Sequence, residues 1–418
     1  MKVLIHGINY APEQIGIGKY TGEMAEWLAE RGHSVRVVTA PPYYPDWNAR
    51  NGYRTWQYCR ECLQGVDVWR CPLWVPRAPS GIKRIIHLLS FAFFSLPVMI
   101  RQVFWKPDIV MVIEPPLFCA PQALLTARLS GAKAWLHVQD FEIAAFFGLG
   151  FSSSGSLKKC AMTAESLLMR LFDHVSTISK SMLSRISHLR VDESRLFFFP
   201  NWVDIEHICP HPDRNNLRDA WGFNNKQKII LYSGNMGKKQ GLEIVLEAAS
   251  RLAETHPDVV FLMVGEGAAK KELVAECEKR RLHNTIFKPL QPLEQLPSLL
   301  AMADIHLVIQ KRGIAEAVMP SKLTGILAAG GFSIITAEEQ TELGQFVLHN
   351  PGIAELIEPE NTESLFQAIL RMLSKKEFSG NFNITARRYA EQHLATNVVM
   401  GNLEKRLQAV TRKKKSIS

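Results

Sequence analysis

MKVLIHGINYAPEQIGIGKYTGEMAEWLAERGHSVRVVTA, residues 1–40, changes its hydrophobic period twice. VLIHG (Val3 to Gly7) is an apolar run of strand length, and SVRVVTA (Ser34 to Ala40) is another. Between them apolar residues recur at helical spacing from about Lys19 to Arg31, and Gly32 follows as a helix-ending glycine. Strand, loop, helix and strand in this order make a parallel β-α-β unit with a right-handed crossover, which sets the fold class as α/β.

The same stretch raises a functional question, because Gly16, Gly18 and Gly22 almost spell a dinucleotide-binding fingerprint. That fingerprint needs its first glycine at the strand-to-helix turn and an acidic residue ~20 positions on for the ribose. Here nine residues separate His6 from Gly16, the glycines are spaced one residue too far, and VRVVTAPP ends the second strand without an acid. NAD and FAD are therefore disfavoured. The helix start still offers unpaired N–H groups and a dipole that favour an anion by roughly 0.3 to 1 kcal/mol, so Gly16 and Gly18 are candidates for phosphate contact.

A chain of 418 residues exceeds one hydrophobic core and predicts two domains. Apolar residues at 47% and charged residues at 21% exclude wholesale disorder. A net charge of +9 and a pI near 9.1 point to an anionic partner. No Cys/His finger or RNP-like run accompanies the charge, and RKKK (Arg412 to Lys415) is too short for a nucleic-acid arm, so no nucleic acid is expected. Seven scattered cysteines read as free thiols of a reducing cytoplasm, and the N-terminus reads as a first strand rather than a signal peptide. IIHLLSFAFFSLPVMI (Ile85 to Ile100), flanked by Lys83, Arg84 and Arg101, falls short of the ~18 to 20 residues of a bilayer span. It predicts either a buried helix or an interfacial one with basic ends on anionic headgroups.

Further strands are expected at Asp108 to Glu114, Lys133 to Asp140, His174 to Ser179 and Arg195 to Asn201, with an ordered excursion without helical periodicity from Ala40 to Pro79. Around Asp204 to Asn225 the composition turns polar and proline-rich, as an interdomain connection does, and the alternating pattern then restarts. Helices are expected at about Gly241 to Thr255, Lys270 to Arg281, Leu296 to Ala303 and Ser321 to Ala329, and a helical tail from Ile384 to Val410. The expected division is a domain of residues 1–203, a second of 204–390, and a helix and basic tail of 391–418.

Ligands of open parallel sheets bind beyond the carboxyl ends of the strands, so the residues after each strand carry the functional reading. YSGNMGKKQGLE (Tyr232 to Glu243) combines Gly234, Asn235, Lys238 and Lys239 ahead of a helix, a suitable pyrophosphate cradle that does not fit the P-loop spacing. VGEG brings Gly265, Glu266 and Gly267 to the next strand end, and KPLQP brings Leu290; these are candidates for contact with a nucleotide base or ribose. PSKL places Ser321 and Lys322 at another helix start. In the first half HVQDFE ends a strand with His137, Asp140 and Glu142, groups able to act as a base or to orient a hydroxyl.

Together PEQIGIGKYTGEMAEWLAERGHSVRVVTAPPYYP, HVQDFE, STIS, FFPNWVD, LYSGNMGKKQGLE, VGEG, LPSLLAMADIHLVIQKRG and PSKLTGILAAGG make the chain resemble, over its whole length, a family 4 glycosyltransferase of the GT-B architecture. The resemblance is nearest to the colanic acid fucosyltransferases of enterobacteria. It implies two Rossmann-like domains facing across a cleft, the first binding acceptor and the second nucleotide sugar, with the C-terminal helix packed back on the first. It also implies a retaining transfer without a metal or other cofactor, of L-fucose from GDP-fucose to a lipid-linked saccharide, by a cytoplasmic protein peripheral on the inner face of the membrane and in contact with its anionic surface. The catalytic candidates are Asp140, His137 and Lys322. Two departures stand out. The family's Arg and Lys in the second-domain glycine loop are replaced by Asn235 and Gln240, and its paired glutamates by Val318 and Gly325, with Glu316 near but out of register and a candidate for the ribose. A nucleotide-sugar epimerase, and an inactive membrane-peripheral assembly protein, are the alternatives.

Overall fold

A computed structural model describes residues 1–50, 52–77, 81–142, 155–210, 216–313, 320–374 and 382–415. The chain divides into two units, Met1–Pro200 with Met400–Ser418, and Asn201–Val399.

The first unit carries strands β1 (Lys2–His6), β2 (Ser34–Thr39), β3 (Cys59–Leu63), β4 (Val66–Arg70), β5 (Ile109–Glu114), β6 (Lys133–Val138), β7 (His174–Thr177) and β8 (Leu196–Phe198). They form one sheet in the order β3-β4-β2-β1-β5-β6-β7-β8. Every neighbouring pair is parallel except β3 and β4. All six residues of β5 are buried, as a strand covered on both faces requires. The helices are α1 (Gly16–Glu30), α2 (Gly81–Gln102), α3 (Ala120–Ser130), α4 (Gly155–Arg170) and α5 (Lys180–His188). Helix α1 starts three residues before the expected Lys19, because Gly16 takes a left-handed φ of 60° and turns the loop directly into the helix.

The excursion after Ala40 is not wholly irregular: β3 and β4 form a hairpin whose turn, Gln64 and Gly65, has positive φ at both positions, as a type I′ turn demands. Arg70, 1% exposed, closes the hairpin onto the sheet. Its guanidinium donates to the carbonyls of Ala40 and Ala11 and to Glu61.

The second unit begins with the short helix α6 (Asn216–Ala220) and carries β9 (Lys228–Ser233), α7 (Glu243–Thr255), β10 (Val259–Val264), α8 (Lys270–Lys279), β11 (Thr285–Lys288), α9 (Leu296–Ala301) and β12 (Ile305–Val308). It continues through α10 (Ser321–Ala328), β13 (Ser333–Thr336), α11 (Glu342–His349), β14 (Glu355–Ile357), α12 (Thr362–Ser374) and α13 (Ile384–Tyr389). Its sheet, β11-β10-β9-β12-β13-β14, is parallel throughout. A buried ion pair closes its amino edge: Arg218 reaches Asp304 at 2.5 Å and the Met302 carbonyl, while Asp304 also accepts the Ile229 N–H.

The tail expected as one helix is interrupted. Ala395 leaves helical geometry to bridge Val203, and the last helix, α14 (Thr396–Lys415), starts afresh. From Met400 onward α14 belongs to the first unit, where Glu404 bonds His33 at 2.8 Å and Arg406 donates to the Ser194 carbonyl. Met400, Leu403 and Leu407 are fully buried. Each such side chain contributes about 1.5–3 kcal/mol, so deleting residues 400–418 removes an amount comparable to a domain's whole stability of about 5–15 kcal/mol. We expect that truncation to abolish or sharply lower the first thermal transition in calorimetry; an unchanged profile would contradict this packing.

Candidate active site

Strand order in the second unit reverses at β9: β10 and β11 lie on one side, β12 and its successors on the other. The loops leaving β9 and β12 therefore diverge, and a crevice opens beyond their carboxyl ends where ligands of such sheets bind. Gly234 follows β9 directly with a φ of 138°. The loops are tied together by backbone: Gly234 N–H donates to the Val264 carbonyl, Met236 to Glu266, Ala269 to Met236, and Gly265 to Lys288. A Cβ on Gly265 would strike the Gly234 carbonyl, and one on Gly267 would lie 2.5 Å from Met236 backbone atoms. These two glycines are thus required by loop-on-loop packing, a role that the ligand-centred reading of VGEG missed.

Lys322, at the second position of α10, sends its ammonium into this crevice. Nζ lies 3.8 Å from the centroid of the Tyr232 ring and 3.6 Å from where a Gly234 Cβ would sit. It is buried with no hydrogen-bond partner among the described residues, and desolvation lowers its pKa from 10.5 to about 7. Ser321, exposed, opens α10, whose first turn has no side-chain cap. The N–H groups there remain available to an anion.

The remaining candidates of this unit are placed less uniformly. Asn235 is exposed, and its carbonyl accepts the Tyr232 hydroxyl at 2.6 Å. Lys238 points outward to Glu272, 3.4 Å away with both side chains about 70% exposed, and Lys239 is exposed. Gln240 caps the loop by accepting the Gly237 N–H at 3.0 Å. Glu266 pairs with Lys270 at 2.6 Å, and Leu290 is 58% exposed. Glu316 and Val318 lie outside the described residues.

In the first unit the strand order reverses at β1, between β2 and β5. His137 is 2% exposed. Its Nδ1 meets the Ser176 hydroxyl at 2.9 Å, its Nε2 meets Gln139 at 3.0 Å, and burial holds its pKa near 3. It is neutral at pH 7 and ties β6 to β7. Asp140, two residues beyond β6, is exposed. Glu142 accepts the Leu117 N–H at 2.8 Å. Gly16 is open, with only Tyr44 near its missing Cβ, whereas a Cβ on Gly18 would meet the carboxyl of Glu13 at 2.5 Å. That carboxyl accepts the N–H groups of Tyr43 and Tyr44 and the Asn9 amide, so the chain places its own acid against the start of α1.

Glu114, ending β5, is fully buried with both oxygens unpartnered, and burial beside Glu165 and Glu142 pushes its pKa well up. An acid closing the apolar run IVMVIE was the available sequence signal for it. Among the described residues no three His, Cys, Asp or Glu side chains are arranged to hold a metal ion.

The crevice cation generates a pH prediction. Free Lys322 is protonated below about pH 7 and loses its charge above it. A diphosphate placed in this crevice would favour the charged form, so its affinity is expected to fall as pH rises from 7 to 9, with proton uptake recorded by calorimetry. Lys322→Met removes that dependence and binds weakly throughout. The unfolded chain binds the extra proton between pH 7 and 10.5, so the burial penalty on stability is complete below 7 and disappears above 10.5. Lys322→Met therefore raises the Tm of the unliganded protein most at acidic pH.

Residues 16–202 match the Glycosyl transferase 4-like domain and residues 213–389 the Glycosyl transferases group 1 domain. The chain is 49% identical over 400 residues to the colanic acid biosynthesis glycosyl transferase WcaI of Escherichia coli K12, covering 94% of this chain and 96% of that one. It is 19% identical over 417 residues to N-acetyl-alpha-D-glucosaminyl L-malate synthase of Bacillus anthracis, covering 97% and 96%. Among solved structures, sucrose-phosphate synthase from Thermosynechococcus elongatus superposes with a TM-score of 0.73 at 15% identity, covering 98% and 99%. Anabaena HepE in complex with UDP gives 0.71 at 13%, covering 98% and 100%. Two parallel-sheet units of GT-B type, both domain matches and a near-full-length relative at 49% identity place this chain in the family of group 1, family 4-like glycosyltransferases.

Proposed function

We propose that the enzyme transfers L-fucose from GDP-fucose, with retention and without a metal, to a lipid-linked saccharide during assembly of a colanic acid-like exopolysaccharide. The observation that carries the donor part is the buried, unpartnered Lys322 ammonium beside Gly234 at the β9 switch point. Among the described residues this cation has no counter-ion, which suits a diphosphate leaving group: its charge grows as the glycosidic C–O bond breaks, and a preorganised donor there contributes ~3 to 4 kcal/mol. The exposed Asp140, rather than the enclosed His137, is the carboxylate available to orient an acceptor hydroxyl on the first unit. The pathway rests on likeness to the E. coli relative, and the sugar on the resemblance of the sequence motifs to colanic acid fucosyltransferases.

The membrane part rests on α2. By length and composition the 25-residue stretch Gly81–Trp105 could cross a bilayer. However, its buried face is built into the sheet: Ser95 bonds His6 and Gln122, and Gln102 bonds Arg36. The opposite face exposes Ile82, Ile86, Leu89, Phe93, Leu96 and Ile100, spaced three and four apart, with Phe104 following at 83% exposure. No Asp or Glu occurs from Val68 to Pro107, whereas Lys83, Arg84, Arg101 and Lys106 flank the stripe. A helix so packed and so charged suits lying on an anionic surface rather than spanning one.

The test of the reaction is a screen of nucleotide sugars with membrane lipid extract, scoring label moved into the lipid phase. Label from GDP-fucose is expected, and Lys322→Ala lowers its rate by about 10²- to 10³-fold. Isomerised sugar nucleotide from donor alone would favour an epimerase, and no binding of GDP, UDP or ADP would favour an inactive assembly protein. Independently, the protein should float with anionic vesicles at low salt, and Phe93→Ser with Ile100→Ser should abolish flotation while leaving the melting profile intact.

A further inference from the structure

The glycine loop after β9 lacks a cation at position 240, and its Lys238 is turned outward to Glu272. Yet a second lysine reaches this loop from another strand. Gly241 has a φ of 67°, and a Cβ built on it would lie 2.8 Å from Cγ and 3.1 Å from Cε of Lys311. The Lys311 stem therefore crosses the loop at the last glycine before α7, with its ammonium one bond beyond Cε.

The placement is held from both sides. The Lys311 N–H donates to the Lys239 carbonyl at 3.0 Å, joining the loops after β9 and β12 across the switch point. On the other side Thr336 fixes Gln310, accepting its N–H at 2.6 Å and donating to its carbonyl at 2.9 Å. Arg312 turns the opposite way, onto Glu338 and Glu358, and its own N–H is held by Glu360. Adjacent cations are thus sorted: Arg312 is neutralised against the sheet's far side, while Lys311 faces the glycine loop. Among the described residues it has no carboxylate within ion-pair distance. The neighbouring Gln310 Oε1 is buried without a partner, as is Lys322 Nζ. Two unsatisfied polar groups at one strand switch point signal a polar ligand that completes them.

We infer that Lys311 is the second diphosphate-binding cation of the donor site, acting with Lys322 from the opposite end of the Gly234–Gly241 loop in place of the lysine missing at position 240. This assignment rests on the reading of the second unit as donor domain. Lys322 meets the loop at its first glycine and Lys311 at its last, so a diphosphate laid over the loop is met by a positive charge at each end. A nucleoside monophosphate occupies only one of these positions.

Calorimetry of GDP, UDP, ADP and the matching monophosphates against wild type, Lys311→Met, Lys311→Arg, Lys238→Met and Lys322→Met tests it. Lys311→Met is expected to weaken the preferred diphosphate at least tenfold and its monophosphate less than threefold, to flatten the salt dependence of diphosphate binding, and to exceed the effect of Lys238→Met. Lys311→Arg restores most of the affinity. Equal losses for mono- and diphosphate would show only support of the loop and overturn the assignment. Unchanged diphosphate binding in Lys311→Met, with loss in Lys322→Met, would overturn it while the donor reading stands. If wild type binds none of the three diphosphates, the donor reading falls and Lys311 with it.

Discussion

Every strand of the second unit points its carboxyl end the same way, and right-handed crossovers leave the chain only one means of opening a crevice there: reversing the direction in which strands are added. The reversal at β9 separates the loops after β9 and β12, and the first unit repeats the device at β1. All else follows from that divergence. The loop after β9 can be long and glycine-rich because no crossover helix covers it. The start of α10 can point at the gap, and the residues after β12 can reach across it.

The crevice is also where the protein departs from electrostatic comfort. The Lys322 ammonium sits against the face of a tyrosine ring rather than against a carboxylate. A ring face attracts a cation but does not repay full desolvation, and the lowered pKa is the signature of that shortfall. The first unit does the reverse at its own helix start, where Glu13 supplies an anion with backbone N–H partners. One unit leaves a cation without a carboxylate partner among the described residues, and the other sets a hydrogen-bonded carboxyl close to a helix start.

Much of this was legible from residue order. Apolar runs of strand length gave the sheets, and glycines and lysines after strands gave the loops, because backbone approach and helix starts are properties of local sequence. The hairpin of β3 and β4 was not legible, since neither CRECL nor VDVWR alternates cleanly and its turn is Gln-Gly rather than Asn-Gly. Nor was the orientation of the lysines. Lys238 and Lys239 look equivalent in sequence, but the outward turn toward Glu272 depends on α8, more than 30 residues away. The break at Ala395 depends on Val203, nearly 200 residues earlier. Long-range pairing of this sort leaves no periodic trace.

The contact of Gly265 and Gly267 with the backbone of Gly234 and Met236 bears on how such a site can diverge. Three loops locked through main chain, with no room for even a methyl group, cannot change shape by single substitutions. Between the fixed glycines, Asn235 and Glu266 are exposed. Descendants of this sequence can therefore alter what their side chains recognise one position at a time while inheriting the scaffold intact. Variation in recognition is channelled into a few exposed positions on a frame that does not drift.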